Sequence, residues 1–385
     1  MSGLSNRREF MQSVGAAAAG LCLQSSGLLA STRLPAARVS FAKCASYGAQ
    51  AHQTLQTLFD QLGGLDRLVK GKTVVVKLNM TGGVGSRLNG MPLAMTHWVN
   101  PDIIASTVHL LGQAGARRIR LVESTASPAD SLPEFMQQAG WNPHDFTSAA
   151  RAVEFEDTNY AGPTGKYVRM GVPGGGLLFK AYELNHSYHD CDVYVSLAKL
   201  KEHATAGVTL SMKNSFGITP ATIYGAGAGI DAPSKVAKGA RVNILHEGNR
   251  QPSKDALPEL NPNSPRDPGY RVPRVVADLA GARPIHLAVI DGIYTAAGGE
   301  GPWIRSCRPV HAGLLIAGTN CVSTDAVATA LMGFDPMATR GTAPFEHCDS
   351  TLELAEQRGI GTRDLRRIEV IGMPVSKAKV DFRHV

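Results

Sequence analysis

The sequence has few cysteines and no paired cysteine motif. Six cysteines occur in 385 residues, and none forms C-x-x-C. An iron–sulfur cluster needs four thiolates, usually closely spaced, so the sequence offers no iron–sulfur motif. Five cysteines lie beyond the N-terminal segment. This odd number argues against a complete disulfide framework but leaves one disulfide open.

Standard signatures of several site classes are also missing. There is no G-x-x-x-x-G-K-[ST], H-E-x-x-H, G-x-S-x-G or EF-hand loop, and Gly225-x-Gly-x-Gly229 lacks the spacing of a dinucleotide fingerprint. Charged residues make up only 18% of the chain, with a formal net charge of +7. No stripe of Lys and Arg interleaved with aromatics appears, so nucleic acid is not the expected partner. A basic balance of this size suits a small anionic molecule.

The N-terminus resembles a twin-arginine export signal. Asn6-Arg7-Arg8-Glu9-Phe10 is followed by a weakly apolar run over 14–21. This run is too short and too rich in Gly and Ala for a stable membrane span, which needs about 20 apolar residues. We therefore interpret residues 1–37 as signal and linker, with cleavage between Ser25 and Arg38. The prediction is a periplasmic or secreted protein that uses the twin-arginine machinery and keeps no membrane span after processing.

The remaining chain, 38–385, reads as a single α/β domain. Compact apolar runs at 72–78, 118–122 and 192–197 predict buried strands, and further strands are expected at 285–291, 313–317 and 368–371. Asn100-Pro101 has the capping residue and first-turn proline of a helix start. Strand–helix–strand order predicts right-handed parallel crossovers. The expected fold is therefore a mostly parallel, doubly wound sheet.

The segment 218–270 does not follow the alternation of strands and helices. Residues 218–270 are rich in Pro and Gly, which predicts a long excursion from the domain, either a lid or a surface insertion.

The segment 199–217 is the strongest candidate for a site. It follows a predicted strand and contains Lys199, Lys201, His203, Lys213 and Asn214. Lysine presents a compact positive charge to a carboxylate or phosphate, and histidine can move a proton or bind a metal. A lysine pair beside a strand end is often only solvated. The concentration of cations, one histidine and one amide in nineteen residues favours a site.

Other candidates lie at further strand ends. Lys77 and Asn79 end the first predicted strand, where parallel sheets bind ligands, although a lysine there can simply cover the sheet edge. Asp291 can bind a cation, orient His203 or form a local turn. His246, in the excursion, is a candidate metal ligand together with His203, although a lone loop histidine is usually a surface residue.

Taken together, these residues resemble a known family. Lys77-Leu-Asn79, Asn100-Pro101, Lys199-x-Lys201-x-His203, Thr209, Lys213-Asn214-x-x-Gly217, Asp291-Gly292, Gly299-x-Gly301-Pro302 and Asp325 follow the order seen in the family called domain of unknown function 362. The resemblance implies Thr209 and Asn214 as further binding residues. Many family members carry a ferredoxin-like module that this chain lacks. Asp325, at a helix start, is more simply read as a helix cap.

A second resemblance is shorter. The spacing His203-x-x-x-Gly207 with Lys213 is similar to that of lactate racemase and its relatives. The likeness implies a metal or metal–nucleotide cofactor, with His203 as a metal ligand or acid/base and Lys213 as a covalent or ionic cofactor anchor. Ser211-Met212 replaces the Gly-Gly of that family.

These observations favour an exported enzyme that acts on a small anionic carboxylate or phosphate, by isomerisation or redox chemistry, with catalytic His203 and Lys213. The alternative is a non-catalytic periplasmic protein that binds an anion or a cofactor. A third hypothesis is an accessory protein that docks onto a partner, which predicts an exposed apolar patch and no deep pocket.

Overall fold

The computed structural model describes residues 37–126 and 130–384. Its strands are β1 (Ala37–Lys43), β2 (Thr73–Lys77), β3 (Arg118–Glu123), β4 (Val153–Asp157), β5 (Val168–Gly171), β6 (Ala181–Leu184), β7 (Val193–His203), β8 (Gly207–Val208), β9 (Leu287–Ala297), β10 (Arg308–Gly318) and β11 (Ile368–Ile371). Its α-helices are α1 (Ala49–Gln61), α2 (Asp66–Val69), α3 (Pro101–Gln113), α4 (Leu132–Gln138), α5 (Pro143–Thr147), α6 (His186–Asp190), α7 (Leu210–Asn214), α8 (Ala221–Tyr224), α9 (Pro268–Ala282), α10 (Cys321–Leu331), α11 (Thr351–Gln357) and α12 (Val375–Ala378).

The main sheet has the strand order β11-β1-β10-β9-β7-β2-β3-β4. Strands β9, β7, β2, β3 and β4 pair in parallel, β10 is antiparallel to both of its neighbours, and β8 forms a short antiparallel extension of β7. The fold is an α/β fold with a mostly parallel sheet, as the sequence predicts.

The central strand β2 is buried at every position and is mostly apolar. Val74 and Val76 belong to one core with residues of α1 and α3, whereas Val75 belongs to a second core with residues of α9 and α10. Side chains alternate across a strand, so the uninterrupted run of β2 supplies both layers. Helices on both faces make the sheet doubly wound.

Helix α3 begins with the capping residue and the proline that the sequence predicts. The side chain of Asn100 accepts a hydrogen bond from the backbone N–H of Asp102, and Pro101 occupies the first turn. This cap satisfies one of the unpaired donors of the helix. Helix α3 then leads into β3 through the parallel crossover that the sequence indicates.

The Pro/Gly-rich excursion packs into the domain. Ile223, Tyr224, Ile244 and Leu245 are buried in the core. Arg271 of α9 donates to the backbone carbonyl of Ile244 at 3.0 Å. The excursion is therefore a packed segment with its own hydrophobic anchors, and it forms one wall of the cavity described below.

Two sequence expectations concern the N-terminus. The twin-arginine motif and the cleavage region up to residue 36 lie outside the described residues. Ala37, which the sequence analysis places in the linker, is the first residue of β1 and pairs with Ile368 of β11. Within 37–126 and 130–384, no helix is both long and apolar enough to cross a membrane.

Candidate functional site

A cavity of about 530 Å³ opens at the carboxyl ends of β2 and β7. From β2 the chain continues to β3 on one side, and from β7 it continues to β9 on the other. The two connections diverge and leave a crevice between the strand ends. Ligands of open α/β sheets bind at this switch point, so topology alone marks it as a candidate site.

Five parts of the chain supply the walls. They are the strand end and loop after β2, the residues at the end of β3, the segment from β7 to α7, the excursion, and the loop after β9. The predicted site residues among the lining come from three of these parts, namely β2, the β7–α7 segment and the excursion: Lys77, Asn79, Lys201, His203, Thr209, Lys213, Asn214 and His246. The structure therefore brings together eight of the ten residues that the sequence singles out.

Lys77 and Asn79 line the cavity and contact two further lining residues, Glu123 and Asn214. The Lys77 ammonium lies 2.5 Å from the Glu123 carboxylate and donates to the Leu78 carbonyl at 2.7 Å. The amide of Asn79 donates to Asn214 Oδ1 at 3.0 Å. Burial lowers the pKa of Lys77, and the Glu123 carboxylate opposes this shift.

The buried amide of Asn79 also keeps an unused acceptor. Within the described residues its Oδ1 has no hydrogen-bond partner, although the side chain is only 4% exposed. A buried acceptor without a partner is costly, so this oxygen is available to a donor group of a ligand.

His203 ends β7 and is held by a tight turn. Its Nδ1 accepts a hydrogen bond from the backbone N–H of Thr205 at 3.2 Å, and the Glu300 carboxylate lies 3.9 Å away. Burial lowers the pKa of His203 well below its usual value, and the Lys213 and Lys201 ammonium groups add to this effect. The imidazole is therefore neutral near pH 7. Because Nδ1 accepts, the proton lies on Nε2.

Lys201 and Lys213 both have lowered pKa values. The Lys201 ammonium donates to the His97 carbonyl at 2.7 Å and to the Glu300 carbonyl at 3.2 Å, and burial lowers its pKa to about 7. Lys213 lies over the Phe216 ring, 4.2 Å from its centroid, and burial lowers its pKa to about 8. Within 37–126 and 130–384 no carboxylate lies within 4 Å of the Lys213 ammonium. Its ammonium therefore has no direct ion-pair partner, although the more distant Glu300 carboxylate opposes the fall in its pKa.

Asp325 fixes the start of helix α7, which carries Lys213 and Asn214. The Asp325 carboxylate accepts from the backbone N–H groups of Ser211 and Met212, both at 2.9 Å, and from the Ser211 hydroxyl. These contacts fix a turn in which Leu210 has a φ of +45°, an unusual value for a side chain of this size. Asp325 therefore caps α7. The cap of its own helix α10 is Asn320, so the sequence-based expectation for Asp325 is wrong.

Arg241 and Glu300 are cavity residues that the sequence analysis missed. The Arg241 guanidinium donates to the Thr219 carbonyl at 2.7 Å and to the Ser124 hydroxyl at 2.6 Å. Glu300 accepts from the Ala204 N–H at 3.0 Å. Arg241 has no sequence signal, because it lies in an irregular segment. Glu300 stands between the glycines of the Gly299-x-Gly301 motif, which could have identified it.

His246 comes from the excursion and reaches the cavity beside Phe216. The two rings meet edge to face with centroids 5.1 Å apart. Burial lowers the pKa of His246 to about 4, with a further contribution from Lys213. His246 Nδ1 is 3.2 Å from the Arg241 carbonyl. The neutral ring forms part of the wall above Lys213.

Lys199 and Asp291 do not line the cavity. The Lys199 ammonium and the Asp291 carboxylate form a 2.8 Å ion pair in which both side chains are fully buried. They face each other across β7 and β9, and Asp291 also accepts from Tyr47 and from the Asn100 N–H. The expectation that Lys199 holds an anion and that Asp291 orients His203 is therefore wrong. Each is the counter-ion of the other.

The metal interpretation of His203 and His246 finds no third ligand. Among residues 37–126 and 130–384, no group of three or more His, Cys, Asp or Glu side chains is arranged to hold a metal ion. The five cysteines in these ranges are buried and free.

Comparison with known proteins agrees with the resemblance in the sequence. A relative, the thylakoid-associated protein sll1697 of Synechocystis sp., is 25% identical over 300 residues, which cover 77% of this chain and 75% of that protein. A crystal structure of a Thermotoga maritima protein aligns at 13% identity with a TM-score of 0.37. That alignment covers 72% of this chain and 57% of the other, and a likeness this weak carries no argument. The family model described as "Domain of unknown function (DUF362)" matches residues 74–330. The match spans well over half of the sequence, and the chain therefore belongs to the DUF362 family.

Proposed function

We propose that the protein binds a small anionic molecule, a carboxylate or a phosphate, in this cavity and catalyses proton transfer on it. One observation carries the proposal. Three lysines and one arginine line the same cavity as a neutral histidine at the switch point of the sheet. Glu123 and Glu300 are the acidic side chains among the lining residues, so the cavity has a positive excess.

The cations differ in how free they are to bind an anion. Lys77 is paired with Glu123, and Lys201 is held by two carbonyl groups. Lys213 has no such partner and lies beside an aromatic ring, which is a weak substitute for a counter-ion. A carboxylate or phosphate that enters the cavity therefore gains most from Lys213. Charge-assisted hydrogen bonds of this kind are about twice as strong as neutral ones.

The same residues suit proton abstraction next to a carboxylate. Lys201, with a pKa of about 7, is partly neutral near pH 7, and its lone pair accepts the proton as the C–H bond breaks, while the electron pair moves into the carboxylate to give an enediolate. The Lys213 ammonium and the Nε2–H of His203 stabilise that charge as hydrogen-bond donors. Delivery of a proton from water to the opposite face, with release of the abstracted proton to solvent, gives an isomerisation. Buried lysines with lowered pKa values serve as general bases in this way.

Proton exchange with solvent tests the chemistry. A panel of 2-hydroxy and 2-oxo carboxylic acids is incubated with the protein in D₂O, and loss of the α-proton signal is followed by NMR. The native protein is expected to exchange at least one acid, and Lys213→Met and His203→Gln are expected to abolish exchange.

Binding of the same acids, followed by calorimetry, separates the enzyme from a binding protein. Unchanged affinity in His203→Gln together with lost exchange supports the enzyme. Affinity without exchange in the native protein supports the non-catalytic anion-binding alternative. If neither carboxylates nor phosphate bind, both are refuted.

The proposed location is the periplasm or the exterior, through twin-arginine export. The support is the Arg7-Arg8 motif, followed by a short apolar run. A relative described as thylakoid-associated accords with a location at a membrane system. Replacement of Arg7 and Arg8 by lysine, followed by cell fractionation, tests this proposal. Unchanged export would refute it.

A further inference from the structure

Trp303 is an exposed indole at the cavity that the proposed proton transfer does not use. It is 46% exposed, whereas Trp98 is fully buried. Single exposed apolar residues are common and need no explanation. Trp303 is different because it lines the anion cavity, and so does Val242, another large apolar side chain that is exposed.

The indole is fixed despite its exposure. Its Nε1–H donates to Glu300 Oε1 at 2.8 Å, and the His97 ring contacts it edge to face at a centroid distance of 5.7 Å. Gly82 and Gly301 pack against the ring so closely that a Cβ on either would come within 2.7 Å of an indole carbon. A side chain held on several sides with one part left open provides a preformed surface for stacking.

The cavity is also larger than a small acid requires. Its volume of about 530 Å³ falls in the range of about 300–1,000 Å³ that is typical of pockets for drug-sized ligands. Besides the cations and Trp303, the lining includes Ile304, Phe216, Ala237 and Ala240. The cavity therefore offers apolar surface in addition to the charge around Lys213.

From these observations we infer that the physiological ligand is an aromatic anion whose ring stacks on Trp303 while its carboxylate or phosphate binds the lysines. Glu300 connects the two parts of the site, since it accepts from the Trp303 indole and lies 3.9 Å from His203. A ring on Trp303 therefore lies next to the residue that donates to the reacting carboxylate. This inference rests on the proposed function and specifies its substrate class.

Binding of three probes tests the inference. The probes are 2-naphthoate, which has a ring and a charge, acetate, which has the charge alone, and 2-naphthylmethanol, which has the ring alone. Calorimetry gives the affinity for 2-naphthoate, and competition gives the other two. One stacked ring contributes about 10- to 100-fold in affinity, so 2-naphthoate should bind that much more tightly than acetate. 2-Naphthylmethanol should bind more weakly than 2-naphthoate.

Variants of the tryptophan identify the cause. Trp303→Leu should remove most of the advantage of 2-naphthoate and change the affinity for acetate far less, and Trp303→Phe should keep more of that advantage. Trp141→Phe is the matched control because Trp141 packs on Trp98, outside the cavity lining.

Equal affinities for 2-naphthoate and acetate in the native protein would overturn the inference. Tight binding of 2-naphthoate to Trp303→Leu would do the same. If acetate still binds in a manner that depends on Lys213, the anion site survives this failure. If no probe binds, the anion site fails as well.

Discussion

Replacement of Lys199 by methionine should destabilise the protein strongly and leave its cavity intact. The Lys199–Asp291 pair has an N–O distance of 2.8 Å, and neither side chain is exposed. Removal of one partner leaves the other charge buried without compensation, which costs about 3–5 kcal/mol. Lys254 is the matched control. It pairs with Asp231 at 2.6 Å, but the two side chains are 74% and 81% exposed. Loss of an exposed pair costs about 0–1 kcal/mol.

Scanning calorimetry measures this difference. An unfolding entropy of about 2.1 cal/mol/K per residue gives roughly 0.7 kcal/mol/K for the compact unit that begins at Ala37. Lys199→Met should therefore lower Tm by about 4–7 °C, and Lys254→Met by about 1 °C or less. Adding Asp291→Asn to Lys199→Met should cost less than the sum of the two single changes, because it removes the uncompensated charge.

Two results would refute this reasoning. One is a Tm of Lys199→Met within 1 °C of the native protein, which would mean that the pair is not buried as described. The other is loss of acetate binding at 20 °C by a folded Lys199→Met variant. That result would mean that Lys199 contributes to anion binding, although it does not line the cavity in the structure.

Three further predictions concern the cavity and its support. Gly217→Ala should weaken acetate binding several-fold, because the new Cβ would lie 3.0 Å from the Lys77 ammonium. Gly83→Ala is the control and should not weaken binding, because no atom lies within 4 Å of its Cβ. Equal effects of the two variants in calorimetry would contradict this prediction. Lys213, with a pKa of about 8, should react with trinitrobenzenesulfonate at pH 8 faster than ordinary lysines, whose pKa is near 10.5, and Lys213→Arg should remove this fast phase in peptide mapping. Burial raises the pKa of Asp325 from 3.8 to about 7, so the folded state binds this proton more tightly than the unfolded state and stability should fall as pH rises from 4 to 7. Urea unfolding should show a smaller fall for Asp325→Asn, and an identical slope would refute the assignment.

The sheet around the site could be predicted because its strands carry their own signal. The run 72–78 corresponds to β2, and 118–122 to β3, because apolar residues buried on both faces form short continuous runs. Parallel order then places Lys77 and His203 at neighbouring strand ends. This local pattern, together with one topological rule, is sufficient to gather most of the candidate site.

The parts that could not be predicted depend on contacts between distant residues. The strand predicted over 192–197 continues to His203. Its two lysines can be buried because Lys199 pairs with Asp291 and the Lys201 ammonium donates to backbone carbonyl groups. Sequence rules treat lysine as a surface residue, since nothing local reveals a buried partner 92 positions away. Arg241 reaches the cavity from an irregular segment. Such a segment has no helical or strand periodicity that would indicate which way the side chain points.

Strand β1 was missed for a different reason. The sequence analysis places Ala37 in the linker and predicts no strand in the short run that follows it. Its pairing is with β10 and β11, both more than 260 residues later in the sequence. An amphipathic pattern does not identify partners at that separation.

The position of β1 has a consequence for the order of assembly. Both of its neighbours come from the C-terminal part of the chain, so a ribosome must finish β10 before the first strand can dock. Contacts of such long sequence separation form late, since the intervening chain must be ordered first. A nascent or truncated chain that ends before β10 would leave β1 without either of its partners. Pairing of the first strand therefore depends on completion of the last ones.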